Sequence, residues 1–347
     1  MPYSRSQSMH TSFSHPLAEV SAGRETLPPP MEDMTPSDFP SGVSPSITRQ
    51  AKLELGRFLY PWKNKIQRNR VERNLQEAGV DLNESQLANV ITWGQKGFSQ
   101  EIFLAEARRR IGRIDTIINA GCGMGYEMLV IARYLRPRKI VGLEYFNYRK
   151  AWDWISAKLR KNGIEAQFHQ CDLRNPLPNN IDKADVIVSN AVLEHLRNMS
   201  DTFSHLAAVL EKPAWFAAMW GPMWYSYSGD HIAAELGFEK GYEHVLLPAD
   251  GYLSFYKSHP RNIEYVKNAL PTWLELGLHN FGRYQDYIFE IQKCFGDVQW
   301  LLWSISSEAW RWRKTYSQQW QIILEKNPQI RPLDLLLSNA GALAKWE

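Results

Sequence analysis

The sequence has few cysteines and lacks any long apolar run. Its three cysteines, Cys122, Cys171 and Cys294, lie far apart and form no CxxC pair, which argues against a disulfide framework and against a zinc knuckle. No apolar segment approaches the roughly 20 residues of a membrane-spanning helix, and the first residues, MPYSRSQSMHTSFSHP, lack the apolar core of a signal peptide. We therefore expect a soluble protein of the reducing cytoplasm without a transmembrane segment.

The chain also lacks an excess of charge of either sign. It carries 40 Lys and Arg against 37 Asp and Glu, a formal net charge of +3, which is too small to indicate a nucleic-acid partner. Hydrophobic residues make up 44% of the chain, enough to build a sizeable core. The composition therefore favours a globular protein that acts on a smaller molecule.

The first hundred residues differ in composition from the rest. Residues 1–48 are rich in Ser, Pro and Thr without helical or strand periodicity, which predicts a disordered tail. Residues 49–99 read as a basic, helical N-terminal extension, with a cluster of cations between Lys63 and Arg73. We interpret that cluster as a solvated helix face, and contact with phosphates or an anionic membrane surface is the alternative.

From residue 100 to 347 the sequence alternates between buried strands and helices. The strand-like segments IDTIINAG, KIVGLEY, EAQFHQCD, ADVIVSNA and AWFAAMWG are separated by helical ones, an order typical of a doubly wound α/β sheet. DVQWLLWSIS and LDLLLSNAGALAKWE follow as two further predicted strands, and EAWRWRKTYSQQWQIILEK lies between them as one predicted helix. Residues of about 229–282 read as an insertion over the active-site face.

Three glycines follow the first strand directly and open the next helix. Gly121, Gly123 and Gly125 have the spacing GxGxG, and Tyr126 stands where a dinucleotide-binding GxGxxG motif has its third glycine. Bare backbone beside a helix N-terminus predicts a ligand-binding loop, and the spacing argues against a dinucleotide.

With this loop the sequence resembles the class I S-adenosylmethionine-dependent methyltransferases, closely over residues of about 100–220 and loosely beyond. The resemblance implies a Rossmann-like sheet of seven strands, the last antiparallel, with helices on both faces. It also implies S-adenosylmethionine as cofactor. The implied cofactor-binding residues are Asn119, Gly121, Cys122, Gly123, Gly125, Glu144, Tyr145, Asp172, Leu173 and Asn190.

The resemblance assigns roles at the carboxyl ends of the strands. Glu144, after the second strand, would accept hydrogen bonds from the ribose and must therefore lie beside Gly123. Asp172 would meet the adenine amino group, with Leu173 beside the ring. The segment SNAVLEHL would place Asn190, Glu194 and His195 near the reacting methyl group.

The chain departs from the family at one position. The family usually has Asp or Glu two residues before the first glycine, where this chain has Asn119. An amide oxygen can accept a hydrogen bond from the cofactor's ammonium group, but it lacks the charge that strengthens one. We expect weaker cofactor binding, and a catalytically silent relative is the alternative.

Methyl transfer to a hydroxyl is an in-line displacement that needs a base to remove the proton. His195 is the first candidate, and a purely structural role for it is the alternative. Asp230 and His231 form a second polar pair that could orient or deprotonate a hydroxyl. The spacing of these two residues and His244 matches no metal-binding motif, so the sequence predicts no metal.

The segment WGPMWYSYSGDHI suggests the class of acceptor. Its aromatic residues Trp220, Trp224, Tyr225 and Tyr227 are expected to face a substrate, and with YEHVLLP the pattern is similar to bacterial methyltransferases of surface-polysaccharide synthesis. We therefore expect O-methylation of a sugar or glycan. A lipid-like or aromatic acceptor and a non-catalytic binding protein are the alternatives, while the absence of an Asn- or Asp-Pro-Pro-aromatic motif argues against N-methylation of adenine or cytosine.

Overall fold

The computed structural model describes residues 103–104 and 107–347. The predicted tail at 1–48 and the predicted extension at 49–99 lie outside the described residues. Described residues at 103–104 and 107–111 are helical and precede the first strand. Among the described residues, none of the helices combines the length and the apolar character that a membrane crossing requires.

The described residues form one seven-stranded sheet. Its strands are β1 Thr116–Ala120, β2 Lys139–Glu144, β3 Glu165–Gln170, β4 Ala184–Asn190, β5 Leu210–Trp220, β6 Asp297–Ile305 and β7 Leu337–Trp346. Their order is β3-β2-β1-β4-β5-β7-β6. The neighbours among β1 to β5 pair in parallel, and β7 pairs antiparallel to both β5 and β6. The predicted Rossmann-like sheet of seven strands is confirmed.

Helices cover both faces of this sheet, as predicted. They are α1 Tyr126–Leu135, α2 Arg149–Arg160, α3 Met199–Ala207, α4 Glu243–Leu246, α5 Ala249–Ser258, α6 Pro260–Lys267, α7 Tyr284–Cys294, α8 Ser307–Thr315, α9 Ser317–Lys326 and α10 Pro332–Leu336. Successive side chains of a strand point to opposite faces. Accordingly Ile117 packs in one core with Met128 of α1, whereas Ile118 packs in another with Phe203 of α3.

Two predictions for the C-terminal part were wrong in detail. The segment predicted as one terminal strand begins with helix α10, in which Pro332 is the first residue and the Asp334 carboxylate accepts a hydrogen bond from the Arg331 N–H at 2.9 Å. The segment predicted as one helix is divided into α8 and α9 at Tyr316, whose φ of −118° is not helical. A continuous apolar run has no period that distinguishes a strand from a buried helix.

The predicted insertion contains α4, α5 and α6 and packs in an aromatic core that it shares with the C-terminal helices. Tyr242 and Tyr252 pack there with Trp312 and Trp320 from the C-terminal helices. The end of the insertion reaches back to the sheet, where the N–H of Asn280 donates to the carbonyl of Glu194 at 2.7 Å. The insertion therefore lies against the turn that follows β4.

Candidate active site

The carboxyl ends of β1, β2 and β4 bring the predicted site residues to one edge of the sheet. In the sheet register, Ala120 at the end of β1 lies beside Leu143 of β2 on one side and Ser189 of β4 on the other. The glycine loop, Glu144 and the turn at 193–195 consequently start next to one another. Ligands of open α/β sheets bind at this edge.

The three glycines of the loop are needed for different reasons, although all have positive φ. A Cβ on Gly121 would lie 2.2 Å from Cγ2 of Val192, and one on Gly125 would lie 2.9 Å from the Phe168 ring. Around a Cβ on Gly123, in contrast, no atom of the described residues lies within 4 Å. Gly121 and Gly125 therefore permit close packing, whereas Gly123 borders open space where a ligand fits.

Glu144 lies directly beside this loop. Its Oε2 accepts a hydrogen bond from the Gly123 N–H at 2.8 Å, and its Oε1 accepts one from the Phe146 N–H at 3.0 Å. Burial raises the pKa of the Glu144 carboxyl, and these backbone donors oppose that effect. Glu144 therefore lies beside Gly123, as the predicted binding of the ribose requires.

Two buried polar atoms near the loop favour an external ligand. Oδ1 of Asn119 and Oγ of Ser189 are buried without a hydrogen-bond partner among the described residues, while Nδ2 of Asn119 donates to the Val188 carbonyl at 3.3 Å. Leaving buried polar atoms unpaired is costly. An ammonium group offers the donors that Asn119 can accept, so these residues fit the predicted cofactor.

Other predicted cofactor residues surround the same edge. Cys122 is buried with its Sγ 2.7 Å from where a Cβ on Gly142 would lie, and burial raises the pKa of its thiol well above the ordinary value. The thiol therefore packs as a small apolar group. Leu173 is buried, and Tyr145 and Asn190 are half-buried at the ends of β2 and β4.

Asp172 already has a strong partner. Nε of Arg174 donates to its Oδ1 at 2.9 Å, and Nη2 donates to its Oδ2 at 2.8 Å. Burial opposes ionisation of Asp172, but the bonds from Arg174 outweigh it and hold the pKa of this carboxyl below its ordinary value. Contact of Asp172 with adenine stays a prediction.

Three histidines meet beside the turn that follows β4. Nitrogen atoms of His195, His231 and His279 lie within 4.8 Å of one another. The rings of His195 and His231 are stacked, with centroids 4.9 Å apart, and the His279 centroid lies 5.9 Å from each of them. The structure thus brings together the two predicted catalytic histidines and adds a third.

Hydrogen bonds fix the relative positions of His195 and His279. Nδ1 of His195 lies 2.8 Å from the Leu278 carbonyl, and Nδ2 of Asn280 donates to the Leu193 carbonyl at 3.1 Å. Residues 278–280 are therefore joined to residues 193–195 on both sides of the cluster.

His231 is held by a strained turn that Asp230 stabilises. The φ of His231 is +67°, an unfavourable value for a residue with a side chain. Oδ1 of Asp230 accepts hydrogen bonds from the N–H groups of Ile232 and Ala233, and its Oδ2 accepts one from the Tyr252 hydroxyl at 2.9 Å. Asp230 is completely buried. Its hydrogen bonds therefore hold the turn that positions His231. Direct action of Asp230 on an acceptor stays a prediction.

Burial keeps two of the histidines neutral. It lowers the pKa of His195 from its ordinary value of 6.5 to about 4, although the Leu278 carbonyl partly opposes this shift. Burial also lowers the pKa of His279 well below the ordinary value, and the neighbouring His195 adds to the effect. Both rings are therefore uncharged near pH 7, with one ring nitrogen available as an acceptor.

Sequence reasoning missed His279 and Trp273. The Trp273 ring stacks on Phe146 at 6.2 Å and meets the His195 ring edge to face at 5.2 Å, so it bridges the ends of β2 and β4. Both missed residues lie in the insertion, and no spacing motif relates them to the turn after β4. Only a three-dimensional contact could have identified them.

The aromatic residues expected to face a substrate are instead mostly part of the core. Trp220, Trp224 and Tyr225 are buried, and Trp220 stacks on Tyr287 at 5.5 Å. Tyr227 is half-buried, and its hydroxyl donates to the Phe238 carbonyl at 3.1 Å. That prediction was wrong, because an apolar segment at the start of an insertion also has to anchor it.

Comparison with protein-family models found one match, described as a methyltransferase domain, over residues 65–241, just over half of the chain. A comparison with curated proteins found no match. Among solved structures, YcgJ from Bacillus subtilis is similar with 12% identity and a TM-score of 0.39, covering 71% of this chain and 98% of its own.

Two further similar structures are named methyltransferases. Geranyl diphosphate C-methyltransferase from Streptomyces coelicolor has 15% identity and a TM-score of 0.39, covering 71% of this chain and 75% of its own. The N-methyltransferase NodS from Bradyrhizobium japonicum has 9% identity and a TM-score of 0.38, covering 73% of this chain and 87% of its own. Similarities this distant assign neither a substrate nor a reaction to this chain.

Proposed function

This chain belongs to the methyltransferase-domain family, as an S-adenosylmethionine-dependent methyltransferase, and we propose that it methylates a hydroxyl oxygen of a sugar or glycan. The observation that carries the proposal is the placement of two groups of residues at one sheet edge. Gly123 and Glu144 border the open side of the glycine loop, and the histidine cluster follows the neighbouring strand β4.

The proposed cofactor contacts follow from atoms that are available at this edge. The Glu144 carboxylate is the acceptor for ribose hydroxyls, since its present donors are backbone N–H groups at the rim of the loop. Oδ1 of Asn119 is the acceptor for the ammonium group. Neutral Asn in place of a carboxylate makes this contact weaker, because a hydrogen bond between two charged groups is stronger.

When bound, the cofactor would supply an activated methyl group on a sulfonium sulfur. Transfer of that group to a hydroxyl, with the methyl–sulfur bond broken in exchange, would release the hydroxyl's proton, which a base of this chain must accept. We assign this role to His231, because His195, with a pKa of about 4, is a weak base at neutral pH.

The choice of a hydroxyl acceptor follows from the polar character of the cluster. Imidazoles accept a proton from a hydroxyl and also hydrogen-bond to its neighbours, which suits a polyhydroxylated molecule. A lipid-like or aromatic acceptor is the second candidate. The Trp273 ring between Phe146 and His195 favours it, because such a ring gives a flat apolar molecule a stacking surface.

The cofactor part is tested by calorimetry with S-adenosylmethionine and its demethylated product. Binding of at least one of them is expected, and binding of neither overturns the proposal. The acceptor is tested by incubating extracts with methyl-labelled cofactor. Label in glycans supports the first acceptor class, and label confined to the solvent-extractable fraction supports the second.

The base is tested with His231→Ala and His195→Ala. Removal of a general base lowers turnover by about 100-fold or more, so this loss is expected for His231→Ala with cofactor affinity nearly unchanged. Full activity in both variants would exclude His231 and His195 as the base.

A further inference from the structure

We propose that His195, His231 and His279 form a binding site for a divalent transition-metal ion of the Zn²⁺ type. The sequence predicted no metal, because the spacing of Asp230, His231 and His244 matches no metal-binding motif. The inference goes beyond the proposed function. A nitrogen that binds the ion has no lone pair for a proton, so in the metal-bound protein His231 is a ligand and the acceptor's proton passes to solvent or to a neighbouring group instead.

The ring positions suit three ligands around one ion. Zn–N bonds of about 2.0–2.1 Å in tetrahedral geometry place the centroids of three ligating imidazoles about 5 Å apart. The observed centroid distances are 4.9, 5.9 and 5.9 Å. One nitrogen of each ring lies within 4.8 Å of the other two, and binding of the ion would draw the three nitrogens to the spacing of about 3.3 Å that tetrahedral Zn–N bonds require.

The surrounding hydrogen bonds orient two of the rings as metal ligands require. A carbonyl oxygen only accepts, so the Leu278 carbonyl at 2.8 Å places the proton of His195 on Nδ1 and leaves Nε2 with its lone pair. A metal-bound histidine commonly donates its other N–H to such a carbonyl. Nε2 of His279 lies 3.1 Å from the Tyr256 hydroxyl, which can hold that ring while its other nitrogen binds the ion.

The chemistry of the site favours a borderline-soft ion over Mg²⁺ or Ca²⁺. All three ligands are neutral nitrogens, whereas Mg²⁺ and Ca²⁺ require oxygen ligands. His279 is buried, whereas His195 and His231 are half-buried, so solvent or a hydroxyl can reach the ion as a fourth ligand.

Strain at His231 also indicates a site with a function. Its φ of +67° is unfavourable for a residue with a side chain, and Asp230 stabilises the turn with buried hydrogen bonds. Backbone strain of this kind is concentrated at functional positions. An ion with an open position would make an acceptor hydroxyl more acidic, so that its proton is lost to solvent or to a neighbouring base before the methyl group arrives.

The test is metal binding by the full chain, after removal of bound metal with a chelator. Zn²⁺ is titrated by calorimetry, and Co²⁺ is titrated by its visible absorption, which is intense for tetrahedral coordination. We expect one ion per chain with a shared site for both metals. Absence of a saturable site for either ion at micromolar concentrations would overturn the inference.

Variants locate the ion. His279→Gln and His231→Gln each remove a ligand and should weaken binding at least about 100-fold, and Tyr256→Phe should weaken it about 10-fold. His205→Gln on α3 is the matched control and should bind like the wild type. If His279→Gln does not fold, the half-buried His231 still provides the test, and unchanged affinity in His231→Gln would contradict the site.

Failure of this inference is separable from failure of the proposed function. Cofactor binding is measured in parallel with EDTA present. Cofactor binding without any metal binding overturns only the metal site, whereas metal binding without cofactor binding overturns only the methyl transfer. Turnover that is unchanged by EDTA would contradict a role of the ion in catalysis. The metal-binding measurements would then decide only whether the three histidines bind an ion.

Discussion

The Gly123 N–H donates a 2.8 Å hydrogen bond to the Glu144 carboxylate, and this bond joins the loop after β1 to the last residue of the neighbouring parallel strand β2. One carboxylate thus both shapes the glycine loop and faces the space where the ribose is proposed to bind. A change at Glu144 should therefore affect cofactor binding before it affects the fold.

We expect Glu144→Ala to weaken binding of S-adenosylmethionine by about 10- to 100-fold, because hydrogen bonds to a charged group contribute about 1.5–3 kcal/mol. Glu144→Gln should lose less, since the amide oxygen still accepts. Calorimetry gives the dissociation constants. Glu165→Ala, which removes an exposed carboxylate at the opposite end of the sheet, is the control, and an unchanged constant in Glu144→Ala would contradict the ribose assignment.

Comparison of Gly123→Ala with a control variant distinguishes the loss of space for the cofactor from the cost of backbone strain. Its Cβ would point into the open space that the cofactor is proposed to fill, and its φ of +53° adds roughly 1–2 kcal/mol of strain. Gly163→Ala is a matched control, because Gly163 has a φ of +74° and equal space but lies after α2. We expect both variants to lose similar stability in thermal melts and only Gly123→Ala to lose cofactor affinity. Equal affinities would show that the cofactor does not approach Gly123.

Much of the fold and part of the site could be predicted from the sequence, because local patterns encode them. All residues of β1 and β2 are buried, and most of them are apolar, so the two strands can be recognised from the sequence. Gly123 and Glu144 could be identified because Glu144 ends β2 and Gly123 lies in the loop directly after β1. His279 could not, since its place beside His195 depends on hydrogen bonds between residues far apart in the chain.

Helix α10 shows a second limit of local patterns. Apart from Asp334 its residues are apolar, like most of those in β7, and the Asp334 carboxylate accepts hydrogen bonds from two backbone N–H groups. Those contacts depend on α7 being nearby, because one of the donors is Tyr284 at its start. The sequence does not reveal such a partner.

The buried histidines predict loss of stability in acid. The pKa of His195 is about 4 in the folded protein against 6.5 in the unfolded chain, so the unfolded state binds more protons between these values. The contribution of neutral His195 to the free energy of unfolding is therefore complete above pH 6.5. It decreases as the pH falls toward 4, and about 1–2 kcal/mol of it is lost at pH 5. His195→Asn keeps a donor for the Leu278 carbonyl and should flatten this part of the profile.

Denaturant unfolding between pH 4 and 8 measures the effect. A variant of His205 on α3 controls for the removal of an imidazole in general. If wild type and His195→Asn lose the same stability between pH 7.5 and 5, His195 is not buried as a neutral ring.

Asp334 predicts the opposite dependence on pH. Burial raises the pKa of this carboxyl from 3.8 to about 7, although the Arg331 N–H and the nearby Arg283 oppose the shift. As the pH rises, the carboxyl of Asp334 therefore loses its proton in the unfolded chain before it does so in the folded protein. The contribution of protonated Asp334 to the free energy of unfolding is complete below pH 3.8 and decreases as the pH rises toward 7. Asp334→Asn does not titrate and should gain stability relative to the wild type, by more than about 1 kcal/mol, as the pH rises from 4 to 8.

Chemical denaturation at the two pH values tests this difference, with Asp153→Asn, which replaces an exposed carboxylate on α2, as the control for charge removal. The amide that Asp334→Asn introduces can still accept one of the two backbone hydrogen bonds, so the variant is expected to fold. A stability difference between Asp334→Asn and the wild type that stays constant with pH would mean that Asp334 is ionised in the folded protein at pH 4. Pairing with Arg283 would then outweigh burial at this position.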